Sequence, residues 1–243
     1  MTHSVARLRA ERLARAIKPF KARGSRTDRC ADCRVQRSHC FCTWKPSVES
    51  RAGVCLIMHD VEPLKPSNTG WLIADLVADT FAFGWSRTEV DPALLALLND
   101  PQWEPYVVFP GEFVQPERVV GMPSKGDRRP LFILLDATWT EARKMFRKSP
   151  YLDRFPVLSI QPESLSRYRL RRSKRDDHLC TAEVAALCLE LADDEVAAYA
   201  LDAYLDLFSE RYLQGKRGLP VNLLSAAHER VRPYLAGESA SDA

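Results

Sequence analysis

The stretch LFILLDATWTEARKM, from Leu131 to Met145, sets five apolar residues directly before Asp136 and then changes period. Leu131 to Leu135 reads as a strand buried on both faces, the pattern of a parallel sheet covered by helices. Beyond Asp136 the pattern turns helical. A strand, a tight turn and a helix therefore meet at Asp136, Thr138 and Trp139. In open parallel sheets ligands bind at the carboxyl ends of strands, which makes Asp136 a candidate site residue. Aspartate also caps helices well, and that role fits the same local sequence.

Outward from this stretch the same alternation repeats. GVCLIMHD reads as a buried strand ending at His59 and Asp60. SNTGWLIADLVADTF reads as a helix with Ser67 and Asn68 as cap residues. YVVFP is a strand stopped by Pro110, and FPVLSI is a further short strand. TAEVAALCLELADDEVAAYALDAYLDLFSERYL is helical over most of its length, with a break expected near Asp193. Short apolar strands alternating with helices predict an α/β domain with a mostly parallel sheet and helices on both faces. Several strand ends, Asp136, His59–Asp60 and Phe109–Pro110–Gly111, then open on one shared crevice.

The length of 243 residues allows one large domain with a small appendage. Expected boundaries are a basic helix and linker over 1–29, a cysteine-rich segment over 30–52, the α/β domain over 53–236 and a flexible tail over 237–243. The chain is 46% hydrophobic and 28% charged, as in soluble globular proteins. The net charge of +3 is small, but its distribution is uneven. Arg7, Arg9, Arg12, Arg15, Lys18, Lys21, Arg23, Arg26 and Arg29 crowd the start. Arg167, Arg169, Arg171, Arg172, Lys174 and Arg175 form a second cluster. Two arginine-dominated clusters suit a polyanionic partner, although solvated faces are the plainer alternative.

Nothing approaches the ~20 continuous apolar residues of a membrane span. The basic N-terminus lacks the apolar core of a secretory signal. Seven cysteines without such a signal point to a reducing, cytoplasmic setting. Cys30, Cys33, Cys40 and Cys42 form C-x2-C-x6-C-x-C, a compact quartet suited to tetrahedral zinc. Four protein ligands leave no open position, so such a metal is structural. Free thiols are the alternative, and His39 is a weaker substitute ligand. Cys55, Cys180 and Cys188 sit in apolar contexts and read as core. No G-x-G-x-x-G, complete P-loop or G-x-S-x-G elbow occurs, which disfavours dehydrogenase, kinase and simple hydrolase chemistry.

Five motifs in order carry a resemblance. They are the cysteine quartet, MHDVEPLKPSNTGWLIAD with Glu62 and Asn68-Thr69-Gly70, VVFPG, Asp136-Ala137-Thr138-Trp139, and YRLRR followed by LCTAEVAA. Together, from Cys30 to Leu191, they resemble the DTW-domain family and within it the tRNA-uridine aminocarboxypropyltransferases. One departure is Cys180-Thr181-Ala182-Glu183-Val184, where the family often has Ser-Thr-x-Glu-Ala.

The resemblance implies a SPOUT-related fold with a knotted C-terminal part of the sheet. It implies S-adenosylmethionine (SAM) as co-substrate and transfer of its 3-amino-3-carboxypropyl group to N3 of a tRNA uridine. The products would be acp3U and 5′-methylthioadenosine. Asp136 would then be the general base. Phe109, Pro110, Gly111, Thr138, Trp139, Thr181 and Glu183 would surround SAM. Asn68, Thr69, Gly70, Arg169, Arg171 and Arg172 would meet RNA or substrate groups. tRNA would lie on the basic N-terminal segment, the cysteine module and the 167–175 cluster, with no obligate protein partner. A SPOUT-type methyltransferase and a non-catalytic zinc-containing RNA-binding module remain the alternatives.

Overall fold

A computed structural model describes residues 3–18, 27–160 and 179–236. Arg169, Arg171 and Arg172, with the rest of the 167–175 cluster, lie outside the described residues, as does the tail 237–243.

Six strands form one all-parallel sheet: β1 Gly53–Met58, β2 Thr80–Gly84, β3 Trp103–Val108, β4 Val119–Val120, β5 Arg129–Asp136 and β6 Val157–Leu158. Their spatial order is β2-β1-β5-β3-β6-β4. The eight residues of β5 lie at the centre, paired with β1 on one side and β3 on the other. Asp136 is opposite Met58, so the carboxyl ends of β1 and β5 finish level.

Side chains alternate along each strand and feed two cores. Leu56, Met58, Tyr106, Phe132 and Leu134 face the helices α2 Gly70–Leu76, α5 Thr181–Leu191 and α6 Glu195–Arg217. Cys55, Ile57, Val107, Leu131 and Ile133 face α3 Pro92–Asn99 and α4 Trp139–Arg147. Helices thus cover both faces, as the apolar strand runs require. By the same alternation Asp136 shares the face of Phe132 and Leu134, toward α2 and α5. The expected break near Asp193 falls between α5 and α6, where Asp193 takes a left-handed φ of 60°.

One expected helix is divided. The run from Ser67 to Phe81 gives α2, which stops at Leu76, and then β2 from Thr80. Val77 leaves the helix with extended backbone, and Thr80 Oγ1 donates to the Val77 carbonyl at 2.7 Å to set the turn. The N-terminal helix α1, Ser4–Ala14, is packed on this edge rather than free. Val5 and Leu8 are buried, and Arg12 holds Asp60 through two hydrogen bonds. Part of the basic character of that helix is therefore spent on an ion pair within the chain.

Residues 30–42 make a small module seated on α6, and α6 is followed by the last described helix, α7 Ala226–Val231. Phe41 is fully buried against the rings of Tyr204 and Phe208 at 5.3 and 6.1 Å. A glycine, Gly215, lets the module approach the helix. A Cβ there would lie 3.2 Å from Gln36 Oε1 and 3.4 Å from His39 Cγ.

Candidate functional site

Asp136 is only 4% exposed, and each of its carboxylate oxygens has a partner. Asn68 Nδ2 donates to Oδ2 at 2.8 Å. Thr181 Oγ1 donates to Oδ1 at 2.7 Å. Three segments distant in the chain therefore meet on one carboxyl group: the loop before α2, the end of β5 and the first residue of α5. Asn68, read from sequence as a helix cap, does not cap α2. Its amide is turned into this network, and the helix starts after Thr69 without a side-chain cap.

The same amide lies 3.4 Å from Glu62 Oε2. Glu62 is itself buried, and Lys65 donates to its other oxygen. Two buried carboxylates thus share one asparagine amide, and a lysine pairs with one of the two. Burial is the chief force on Asp136 and raises its pKa to about 6. The hydrogen bonds from Asn68 and Thr181 pull it back down, Glu62 pushes it up further, and Lys65 opposes that push.

Gly70 is required by this packing. A Cβ there would stand 3.0 Å from Asp136 Oδ2, 3.1 Å from Asn68 Oδ1 and 3.2 Å from Leu56 Cδ1. Overpacking of this kind costs about 1–3 kcal/mol, against a helix-propensity gain of at most about 1 kcal/mol. Gly70→Ala should therefore lower the urea midpoint of unfolding. A midpoint equal to the wild type would mean the carboxylate network is looser than the geometry requires.

Beside Asp136 a cleft of about 730 Å³ opens at the carboxyl ends of β3, β5 and β6. Phe109, Phe113, Trp139 and Thr181 contribute to its walls, with Leu134 and Leu158 below. Trp139 is 40% exposed, so it is a rim residue rather than a core tryptophan. Its ring stacks on Phe109 at 5.6 Å and meets Phe113 edge-on at 5.7 Å. Phe109 in turn stacks on Phe146 at 4.3 Å. Ile160 and Leu179, the described residues flanking the arginine-rich segment, both line the cleft.

Other expected site residues have structural partners. Thr138 and Glu141 form a capping box at the start of α4, with Thr138 Oγ1 donating to Glu141 at 2.7 Å. Glu183 accepts from the Cys180 backbone N–H at 2.6 Å in a second capping box. Thr69 Oγ1 accepts from the Ala182 N–H at 3.2 Å, tying α2 to α5. The Gly111 N–H donates to Ser159 Oγ at 3.0 Å, and Pro110 and Gly111 line a second open recess of about 600 Å³. Lys65 was not anticipated, and Glu62 stood out only as part of a longer motif. The available signal is the opposite charges three residues apart, Glu62 and Lys65, between Val61 and Pro66.

Cys30, Cys33, Cys40 and Cys42 bring all four sulfurs within 4.8 Å of one another. Neighbouring pairs lie at 3.4, 3.6, 3.6 and 3.8 Å. A zinc–sulfur distance of about 2.3 Å gives a tetrahedron with edges of about 3.8 Å, so the quartet fits zinc. His39 is directed elsewhere. Its nitrogens meet Ser38 Oγ and the Leu219 carbonyl, both at 2.9 Å. Among the described residues no other group of three or more such side chains is gathered, and no helix is long and apolar enough to cross a membrane.

The molecule is an α/β protein with a six-stranded parallel sheet, a buried carboxylate at a central strand end and a cysteine quartet able to hold zinc. It belongs to the DTW-domain family: the model of the DTW domain matches residues 27–213, more than three-quarters of the chain. That membership fits a tRNA-modifying enzyme. No solved structure matches the chain.

Proposed function

We propose that this protein is a tRNA-uridine aminocarboxypropyltransferase. It would move the 3-amino-3-carboxypropyl group of SAM to N3 of a uridine, giving acp3U and 5′-methylthioadenosine. The observation that carries this reading is the Asp136 carboxylate, poised near neutrality and separated from an aromatic cleft by one hydroxyl, that of Thr181. A SPOUT relationship with a knotted sheet belongs to the same proposal and draws support from the all-parallel sheet.

Uridine N3 is a weak nucleophile while it keeps its proton. Asp136 does not itself line the cleft, whereas Thr181 does. The proton from N3 would pass to Thr181 Oγ1 as the hydroxyl proton passes to Asp136 Oδ1. The N3 lone pair forms the bond to the terminal carbon of the transferred group. The carbon–sulfur bond breaks, and its electron pair neutralises the sulfonium. The sulfonium is already an activated leaving group, so the protein's main task is to present one of three carbons to N3. Phe109, Phe113 and Trp139 suit that task, since aromatic faces hold both flat rings and cations.

The test is product analysis. Purified protein is incubated with SAM and unmodified tRNA, and nucleosides and small molecules are identified by mass spectrometry. The expected result is acp3U with methylthioadenosine in equal amounts. A methylated base with S-adenosylhomocysteine would replace the proposal with a methyltransferase. tRNA binding without turnover of SAM would leave a binding module.

A further inference from the structure

We propose that the outer face of α4 is the surface on which the RNA backbone docks, a surface distinct from the basic clusters conspicuous in the sequence. This rests on the reading of the protein as RNA-modifying and names the part of the site that would hold the polynucleotide.

Helix α4 is divided sharply. Ala142 and Met145 are buried and Phe146 is partly covered, all packed toward β5. Arg143, Lys144, Arg147 and Lys148 are all exposed on the other side. They fall in two rows at i, i+4 spacing, Arg143 with Arg147 and Lys144 with Lys148. Within a row the residues rise about 6 Å along the axis, comparable to successive phosphates of an extended strand. Among the described residues none of the four is paired with a carboxylate.

Three of these cations, Lys144, Arg147 and Lys148, lie at the C-terminal end of the helix, where positive charge stabilises the helix on its own account. That explanation does not reach Arg143 at the middle of α4. Its guanidinium is held 4.6 Å over the Phe113 ring, which also contacts Trp139 at the cleft rim. The cationic face is therefore continuous with the candidate site. A phosphate chain crossing it would run directly to the mouth of the cleft.

The contrast with α1 sharpens the assignment. There Arg12 is committed to Asp60, and Arg9 is partly buried. The α4 face offers four exposed cations beside the cleft, none of them paired with a carboxylate among the described residues. Neutralising phosphates with such cations releases counterions, so affinity falls with salt by a slope set by the number of contacts.

The experiment compares tRNA binding by the wild-type chain and by the Lys144→Ala/Arg147→Ala/Lys148→Ala variant across a salt series. A second variant, Lys125→Ala/Arg128→Ala, removes charge at the opposite end of β5. Thermal unfolding verifies that each is folded. The α4 variant should bind about 10- to 100-fold more weakly near 0.1 M salt, and its log–log salt slope should flatten by about 2 to 3. The control pair should change affinity less than about threefold. Equal affinity and slope for the α4 variant and the wild type would overturn the docking face and leave the proposed chemistry standing. Equal tRNA binding combined with lost binding to anionic phospholipid vesicles would reassign the face to a membrane surface. Wild-type protein that binds no tRNA at any salt would overturn both. Wild-type protein that binds through α4 but makes no acp3U would sink the chemistry alone.

Discussion

Asp136→Asn is expected to lower kcat/KM for tRNA modification by about 10²–10⁴-fold, the usual worth of a general base, while leaving the protein folded. Asparagine has almost the same shape. Its amide oxygen can accept from Asn68, and its NH2 can donate to Thr181 Oγ1, so no buried partner is stranded. Asp136→Ala would be a poorer test, since it strands both. The pH dependence separates chemistry from architecture. Asp136 has a folded pKa of about 6 against an ordinary value of 3.8. Ionisation of the raised carboxyl therefore opposes folding. Its relative stabilisation is fully present below about pH 4, fades as pH rises from 4 to 6 and is absent by pH 7. The difference over that window is about 3 kcal/mol. The Asn variant lacks this titration, so it should match or exceed the wild type in stability at pH 7 and lose that advantage toward pH 4. Activity of the wild type should rise through a limb near pH 6. Thr181→Ser should keep that limb with most of the rate, and Thr181→Val should lose the rate. An Asn variant of normal activity, or a wild-type rate flat across pH 6, would remove Asp136 from proton transfer.

Part of this arrangement is legible in sequence because it is local. Five apolar residues before Asp136 mark β5, and the cysteine spacing marks the quartet without any knowledge of the fold. The break at Asp193 follows from two consecutive poor helix formers, Asp193 and Asp194. What stays hidden is tertiary. Asn68 has the composition and place of a helix cap, yet its amide serves a carboxylate 68 residues away. Thr181 looks like the ordinary start of a helix until β5 is set beside it. Strand β2, TFAFG, follows an apolar helical window so closely that periodicity merges the two. Its strand state is set by pairing with β1, and local propensity yields to such context. The arginines of α1 show the same limit. Their number suits a polyanionic partner, but count alone does not reveal that Arg12 is engaged by Asp60.

Cys33→Ser should reduce bound zinc from about one ion per chain to background and lower Tm by roughly 10 °C, if the metal holds the 30–42 module on α6. A structural zinc binds with about 10–16 kcal/mol in small modules. Here only part of that reaches global stability, because the larger α/β core folds around its own contacts. A loss of about 3–5 kcal/mol corresponds to that Tm shift for a chain of this length. The route of the loss is specific. Cys40 and Cys42 flank Phe41, whose fully buried ring packs between Tyr204 and Phe208. Without the metal, the Cys40–Phe41–Cys42 turn loses its link to Cys30 and Cys33, although the Arg37–Asp28 ion pair and the His39–Leu219 hydrogen bond beside it remain. Two other variants sort the causes. Cys55→Ala removes a fully buried thiol from the opposite core, far from the quartet, and should keep zinc while losing some packing. His39→Ala should also keep zinc, since both imidazole nitrogens are engaged by Ser38 and Leu219 rather than by the quartet. The measurements are metal content by plasma mass spectrometry and thermal unfolding with and without a chelator. Protein that purifies without zinc and unfolds at the same temperature in chelator would mean that the four thiols are packing groups. Loss of zinc from His39→Ala with retention in Cys33→Ser would replace one cysteine by the histidine in the ligand set.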